Sequence, residues 1–169
     1  MSRVFLGIGS NEGDRLAYIS RAARLLADAP NVELLRMAPI YETAPVGGPE
    51  QRDFLNTVLE IHTSLAPRPL LDLLKAIERR LGRTPGGPRS GPRTIDLDIL
   101  LYDALVVREA DLVIPHERMH ERRFVLDPLV QLAPDLRHPT IGATISELLD
   151  RCSAPLARSP RSSTGDEEE

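Results

Sequence analysis

The sequence predicts an α+β fold of the ferredoxin-like kind, a split βαββαβ core with a mainly antiparallel sheet and helices packed on it. Three observations point there. Strand-length apolar runs and helical periodicities follow one another in the order strand, helix, strand, strand, helix, strand. The second and third strands are joined by a loop alone, which favours antiparallel neighbours. The 169 residues suit one domain with a sizeable core. That domain is expected over residues 1–152, with a disordered tail over 153–169 where Ser, Pro, Arg and Glu dominate.

Residues 4–8 form the opening strand, and Gly9-Ser10-Asn11-Glu12-Gly13 turns out of it. From Asp14 onward, Leu16, Ile19, Ala22, Ala23 and Leu26 repeat at helical spacing until Pro30 closes the helix. Residues 32–41 give a second strand. Pro45, Gly47, Gly48 and Pro49 make residues 43–53 a loop. Residues 54–62 alternate, with Phe54, Asn56, Val58, Glu60 and His62 on one face and Leu55, Thr57, Leu59 and Ile61 on the other. Pro67 and Pro69 sit where a helix can start without losing a hydrogen bond. Leu70, Leu73, Leu74, Ile77 and Leu81 mark its buried stripe, and Gly82 caps it. Three prolines and three glycines make residues 83–92 a loop. Residues 94–102 are the fourth strand, a turn at Asp103-Ala104 leads to 105–107, and residues 112–114 extend that edge. Residues 124–132 and 145–151 read as short helices.

Composition excludes several classes. With 21 basic and 25 acidic residues the formal charge is -4, which argues against a general nucleic-acid partner. No apolar run reaches the length of a membrane span, and the start carries no export signal. The single cysteine, Cys152, cannot form an internal disulfide, which fits a cytoplasmic protein. Residues 79–93 carry Arg79, Arg80, Arg83, Arg89 and Arg93 with no acid among them, a cationic stretch suited to a small anionic ligand.

The strongest chemical signal is Thr94-Ile95-Asp96-Leu97-Asp98-Ile99. Strand alternation puts Asp96 and Asp98 on one face about 7 Å apart. Two such carboxylates repel and resist burial, and a divalent cation relieves both problems. Hard oxygen ligands with no His or Cys cluster favour magnesium. The alternative is an edge strand whose aspartates face water. Arg83, Arg89 and Arg93 nearby offer planar forks of donors for phosphate. Carboxylates for a metal plus arginines for phosphate are the parts a phosphoryl-type transfer needs. His116 and Arg122, within Pro115-His116-Glu117-Arg118-Met119-His120-Glu121-Arg122-Arg123-Phe124, could add phosphate contacts or belong to a charged surface helix. Gly7-Ile8-Gly9-Ser10-Asn11-Glu12-Gly13 is not a dinucleotide fingerprint, since its third glycine comes one residue late and no βαβ unit follows. No phosphate loop of the Gly-Lys-Ser/Thr type and no nucleophile elbow occurs.

Gly-Pro-Arg-Thr-Ile-Asp-Leu-Asp-Ile over residues 91–99 resembles the signature of the 6-hydroxymethyl-7,8-dihydropterin pyrophosphokinases. Supporting matches are Gly7-Ile8-Gly9-Ser10-Asn11, Tyr41-Glu42-Thr43 with Pro45, Asp53-Phe54-Leu55-Asn56, and Pro115-His116 followed by Arg122 and Phe124. The resemblance spans residues 2–151. It implies transfer of the β,γ-diphosphate of ATP to the pterin's hydroxymethyl oxygen, with release of AMP, in folate synthesis. It further implies two magnesium ions on Asp96 and Asp98, and catalytic roles for Arg83 and Arg93 beside them. ATP would meet Glu78, Arg83, Arg93, Ile99, His116 and Arg122. The pterin would lie near Asn11, Thr43, Val46, Phe54, Asn56 and Phe124. The partners implied are these two small molecules, with the protein a monomer touching neither nucleic acid nor membrane. Four positions depart from the family's habit. Ser90 stands where a Trp is common, Pro85 where another Arg is common, and Ala44 where a Pro is. Asp111 stands where a basic residue can approach ATP. Fewer contacts from loop 83–93 are expected to slow its closure over ATP.

Overall fold

The computed structural model describes residues 1–45, 48, 50–83 and 93–152. The expected tail, Val46 and the loop residues 84–92, with Pro85, Arg89 and Ser90 among them, lie outside the described residues.

The core has the expected order of elements. Strand β1 (Ser2–Ser10) leads to helix α1 (Arg15–Asp28), whose N-terminus is capped by Asp14 accepting from the Ala17 amide at 3.1 Å. Strands β2 (Val32–Met37), β3 (Tyr41–Thr43) and β4 (Phe54–Thr63) follow. Helix α2 (Pro67–Arg80) starts on its proline and ends at Gly82, whose φ of 89° is the left-handed turn that favours glycine. Strand β5 (Asp96–Tyr102) completes the sheet. The strand order is β2-β4-β1-β5, every pairing is antiparallel, and β3 pairs with the far end of β4. This is the split βαββαβ arrangement the sequence predicts, with its second strand broken in two. The break falls at Pro39, which has no N–H to give a ladder.

Both faces of the sheet are covered. Val4, Leu6 and Ile8 of β1, Leu55, Leu59 and Ile61 of β4, and Leu97 and Ile99 of β5 pack on Ile19 and Leu26 of α1 and on Leu70, Leu74 and Ile77 of α2. The opposite face, through Phe5, Val58, Leu100 and Leu101, meets helix α3 (Arg123–Leu132), helix α4 (Ile145–Arg151) and Met119. Leu100 and Leu101 share that face because the β1–β5 ladder slips by one residue between Phe5 and Leu6. Helix α4 opens on a capping box, with Thr144 and Glu147 each bonding the other's backbone.

Three local expectations change. Leu16 is 37% exposed, because it precedes the stripe that α1 turns toward the sheet, and Leu73 is only half-buried on the flank of α2. Residues 112–114 do not extend the main sheet. They form strand β7 (Leu112–Ile114), which pairs with strand β6 (Val107–Glu109) in a separate hairpin, while residues 105–106 stay outside it. Asp111 holds that hairpin to the start of α2 through Arg68 at 2.8 Å, with Glu109 on the same guanidinium.

Candidate active site

The site opens on the α3 face of the sheet, in front of α3. Asp98 pairs with Gly7 and Asp96 with Gly9, so both aspartates stand over glycines that put no side chain between them. At Gly9 this absence is required: a Cβ there would lie 2.5 Å from Asn56 Oδ1. A cavity of roughly 240 Å³ results, and nine expected residues line it: Thr43, Phe54, Asn56, Arg93, Asp96, Asp98, His116, Arg122 and Phe124. Gly7, Gly9 and Leu100 form part of its floor, which the sequence reading missed. Gly-x-Gly inside a strand was the available signal, since glycine there marks a close approach.

On one side the groups are charged. Arg83 Nη1 donates to Asp96 Oδ1 at 2.8 Å and to Glu78 Oε2 at 2.7 Å, and Arg93 Nη1 reaches the same Asp96 oxygen at 3.1 Å. Glu78 is buried at the end of α2 and also accepts from the Leu97 amide at 2.7 Å. Burial raises its pKa, and the Leu97 amide and Arg83 offset part of that. Asp98 is held well above the usual carboxylate range. Lost hydration is the main cause, followed by the charges of Asp96 and Glu78, against which Arg122 and Arg83 pull weakly. Burial, helped by Arg122, lowers the pKa of His116 and keeps its imidazole neutral near pH 7. Its Nδ1 accepts from the Arg118 amide at 3.3 Å, which assigns the proton to Nε2. Its own amide donates to the Leu100 carbonyl at 2.9 Å. Arg122 makes no ion pair among the described residues and lies with its guanidinium carbon 5.5 Å from the centre of the Phe124 ring.

On the other side the walls are flat and amide-bearing. Asn56 Nδ2 donates to Thr43 Oγ1 at 2.6 Å, a cross-strand bond between β4 and β3 that fixes the carboxamide's orientation. Phe54 and Phe124 are half-buried and line the cavity between these groups. Four expected residues among those described do not line it, and of these Glu78 and Arg83 reach it only through the contact of Arg83 with Asp96. Ile99 turns into the α1/α2 core at 5% exposure, and Asn11 is 1% exposed behind the wall. Neither lines the cavity.

The family model for 7,8-dihydro-6-hydroxymethylpterin-pyrophosphokinase matches residues 5–134. The chain belongs to this family. Among its relatives are the 2-amino-4-hydroxy-6-hydroxymethyldihydropteridine pyrophosphokinases of Bacillus subtilis, 44% identical over 82% of this chain and 83% of that one, and of Pseudomonas aeruginosa, 41% identical over 90% and 93%. A third, from Methylorubrum extorquens, is 43% identical over 88% and 92%. Among solved structures, an HPPK-DHPS in complex with substrates superposes with a TM-score of 0.69 at 15% identity. The wild-type Plasmodium falciparum HPPK-DHPS with pteroate gives 0.70, also at 15%. At that identity the likeness shows the fold. The chain spans 43% and 42% of those two chains. As a member of the family, the protein is a pyrophosphokinase of folate synthesis that uses ATP and a hydroxymethyl-dihydropterin.

Proposed function

We propose that the protein joins the β-phosphorus of ATP to the hydroxymethyl oxygen of 6-hydroxymethyl-7,8-dihydropterin, with Asp96 and Asp98 holding two magnesium ions. The observation that supports this best is the shared cavity: two aspartates, two arginines and a histidine on one side, a carboxamide between aromatic walls on the other. The aspartates fit hard divalent cations. No described residue donates a hydrogen bond to Asp98, and its proton affinity is raised by lost hydration and neighbouring negative charge, both of which a cation would relieve. Magnesium held by Asp96 and Asp98 would offset the negative charge that develops on the phosphates during transfer.

The chain's own groups then divide the work. Arg83 and Arg93, both resting on Asp96, can turn from carboxylate to phosphate as the nucleotide enters. Neutral His116 donates its Nε2–H to a phosphate oxygen, and Arg122 supplies a guanidinium with no carboxylate to leave. Asn56 both donates and accepts at the pterin's amide edge, between Phe54 and Phe124. As the oxygen–phosphorus bond forms, the bond from the β-phosphorus to the oxygen it shares with the α-phosphate breaks. AMP departs, and the hydroxyl proton passes to water. Neither aspartate is placed as a base, since one is engaged by arginines and both by the metal. Rate enhancement therefore comes from alignment and charge stabilisation. The remaining parts of the proposal are a monomer working in the cytoplasm on small molecules alone. The lone cysteine supports the compartment, and the acidic balance supports the absence of a nucleic-acid partner. No helix among the described residues is long and apolar enough to cross a membrane.

The test is to incubate protein, ATP, magnesium and the pterin and resolve the nucleotide products. AMP formed only with pterin and metal together is the expected result, and Asp96→Ala or Asp98→Ala should abolish it with the fold intact. Release of ADP or free pyrophosphate overturns the named transfer, and near-normal turnover in either variant overturns the metal assignment.

A further inference from the structure

Asn11 follows β1 at 1% exposure, and both donor hydrogens of its carboxamide are engaged within the protein. Nδ2 donates to Gln51 Oε1 at 2.8 Å and to the Arg52 carbonyl at 2.9 Å, while Oδ1 accepts from the Arg93 amide at 2.9 Å. The Asn11 backbone amide in turn donates to the Arg93 carbonyl at 3.1 Å. A side chain so placed, buried and outside the cavity lining, has no donor to offer a ligand. What it has is position. Gln51 and Arg52 immediately precede Asp53 and Phe54, where the pterin wall begins, and Arg52 also grips the Gly13 carbonyl at 3.0 Å. Arg93 begins the approach to β5 and sets its guanidinium on Asp96.

We propose that Asn11 is a positioning residue that couples the two substrate subsites, tying the wall before Phe54 to the backbone of Arg93. This rests on the reading of the cavity given above. The physical reason is that a buried amide holding both segments cannot release one without leaving a polar atom unpaired. The two segments therefore share one preferred arrangement, and whichever ligand favours that arrangement prepares it for the other. Such coupling is reciprocal and spans about 5–150-fold in affinity.

The experiment uses the full chain and calorimetry. The affinity for 6-hydroxymethylpterin is measured with magnesium alone and again with saturating α,β-methylene-ATP, which cannot transfer. Wild type is expected to bind the pterin at least about fivefold more tightly with nucleotide present. Asn11→Asp keeps the acceptor for Arg93 and loses both donor bonds, and its enhancement is expected to fall to within about twofold of none. Gln51→Ala, at a half-buried position, leaves Asn11 in place, cuts one of the three carboxamide bonds and is expected to give an intermediate value. Should Asn11→Asp fail to fold, Gln51→Ala decides alone, and an undiminished enhancement there overturns the proposal. Independent binding of the two ligands in wild type also overturns it. Failure of wild type to bind either ligand sinks the reading of the cavity instead, and is distinguishable because coupling is never reached.

Discussion

Replacing Gly9 with alanine tests how the floor of the cavity is built. The new methyl would stand 2.5 Å from Asn56 Oδ1, far inside an ordinary contact, with the Leu55 carbonyl at 3.5 Å behind it. The carboxamide cannot simply rotate away, because Nδ2 is held by Thr43 at 2.6 Å. Moving Asn56 gives up that bond, worth about 1 kcal/mol net, and crowding adds about 1–3 kcal/mol. A total of about 2–4 kcal/mol corresponds to a loss of about 4–16 °C in Tm for a chain of this size. The same displacement removes the amide partner proposed for the pterin, so KM for the pterin should rise at least about tenfold, while KM for ATP changes little. Thermal melts and steady-state kinetics read the two effects. Gly7→Ala is the control for stability, since its methyl would meet only Leu100 side-chain atoms at 3.5–3.6 Å. Adding Asn56→Ala to Gly9→Ala should recover the crowding share of the loss but not the bond to Thr43, because the clash needs both partners. A Gly9→Ala protein with unchanged Tm and pterin KM would refute the reasoning.

Asp98→Asn should abolish turnover and yet raise the Tm of the metal-free protein. The folded pKa is raised, so the stability contribution present below the unfolded carboxyl pKa is lost as pH rises through the folded one, and asparagine escapes that loss. Melts in chelator at neutral pH check it, and a lower Tm than wild type would count against it. Glu60 is buried between Arg3 at 2.7 Å and Arg36 at 2.8 Å. Burial pushes its pKa up, but the two arginines prevail and hold it below the usual value. Its contribution is therefore present above the unfolded pKa and lost as pH falls through the folded one. Glu60→Ala should cost about 2 kcal/mol in denaturant titration, less than a fully buried pair because both arginines remain half in water. His116→Ala should lower kcat/KM for ATP about 10–100-fold, the cost of one hydrogen bond to a charged group. With its pKa depressed, His116 is neutral throughout, so the wild-type rate should show no inflection from this group between pH 7 and 8.

Much of this architecture was legible in the residues because it is periodic. The alternation of β5 puts Asp96 and Asp98 on one face, and the glycine after α2 caps it, both as the residue pattern alone predicts. The β6–β7 hairpin was misjudged because three-residue strands carry too little pattern to show their partner. Both C-terminal helices could be read, but an apolar stripe says that a helix is buried, not which face of a sheet it covers. The Thr144–Glu147 capping box lay in plain sight and went unused. The contacts of Asn11 were out of reach in principle, since its partners lie 40, 41 and 82 positions away.

The slipped ladder between β1 and β5 has a consequence for how this strand can change length. Leu100 is the residue left over, so its carbonyl is free to receive the His116 amide, and its side chain fills the space above Gly7. Excising Leu100 would leave Asp96 and Asp98 opposite their glycines, and keep Leu101 opposite Phe5 and Tyr102 opposite Val4 in a ladder now unbroken. The sheet would be more regular for the loss. What disappears is the mooring of His116. A strand one residue too long is thus how a repetitive scaffold frees a main-chain acceptor for a functional loop, and shortening it should yield a sound fold with a slack nucleotide side.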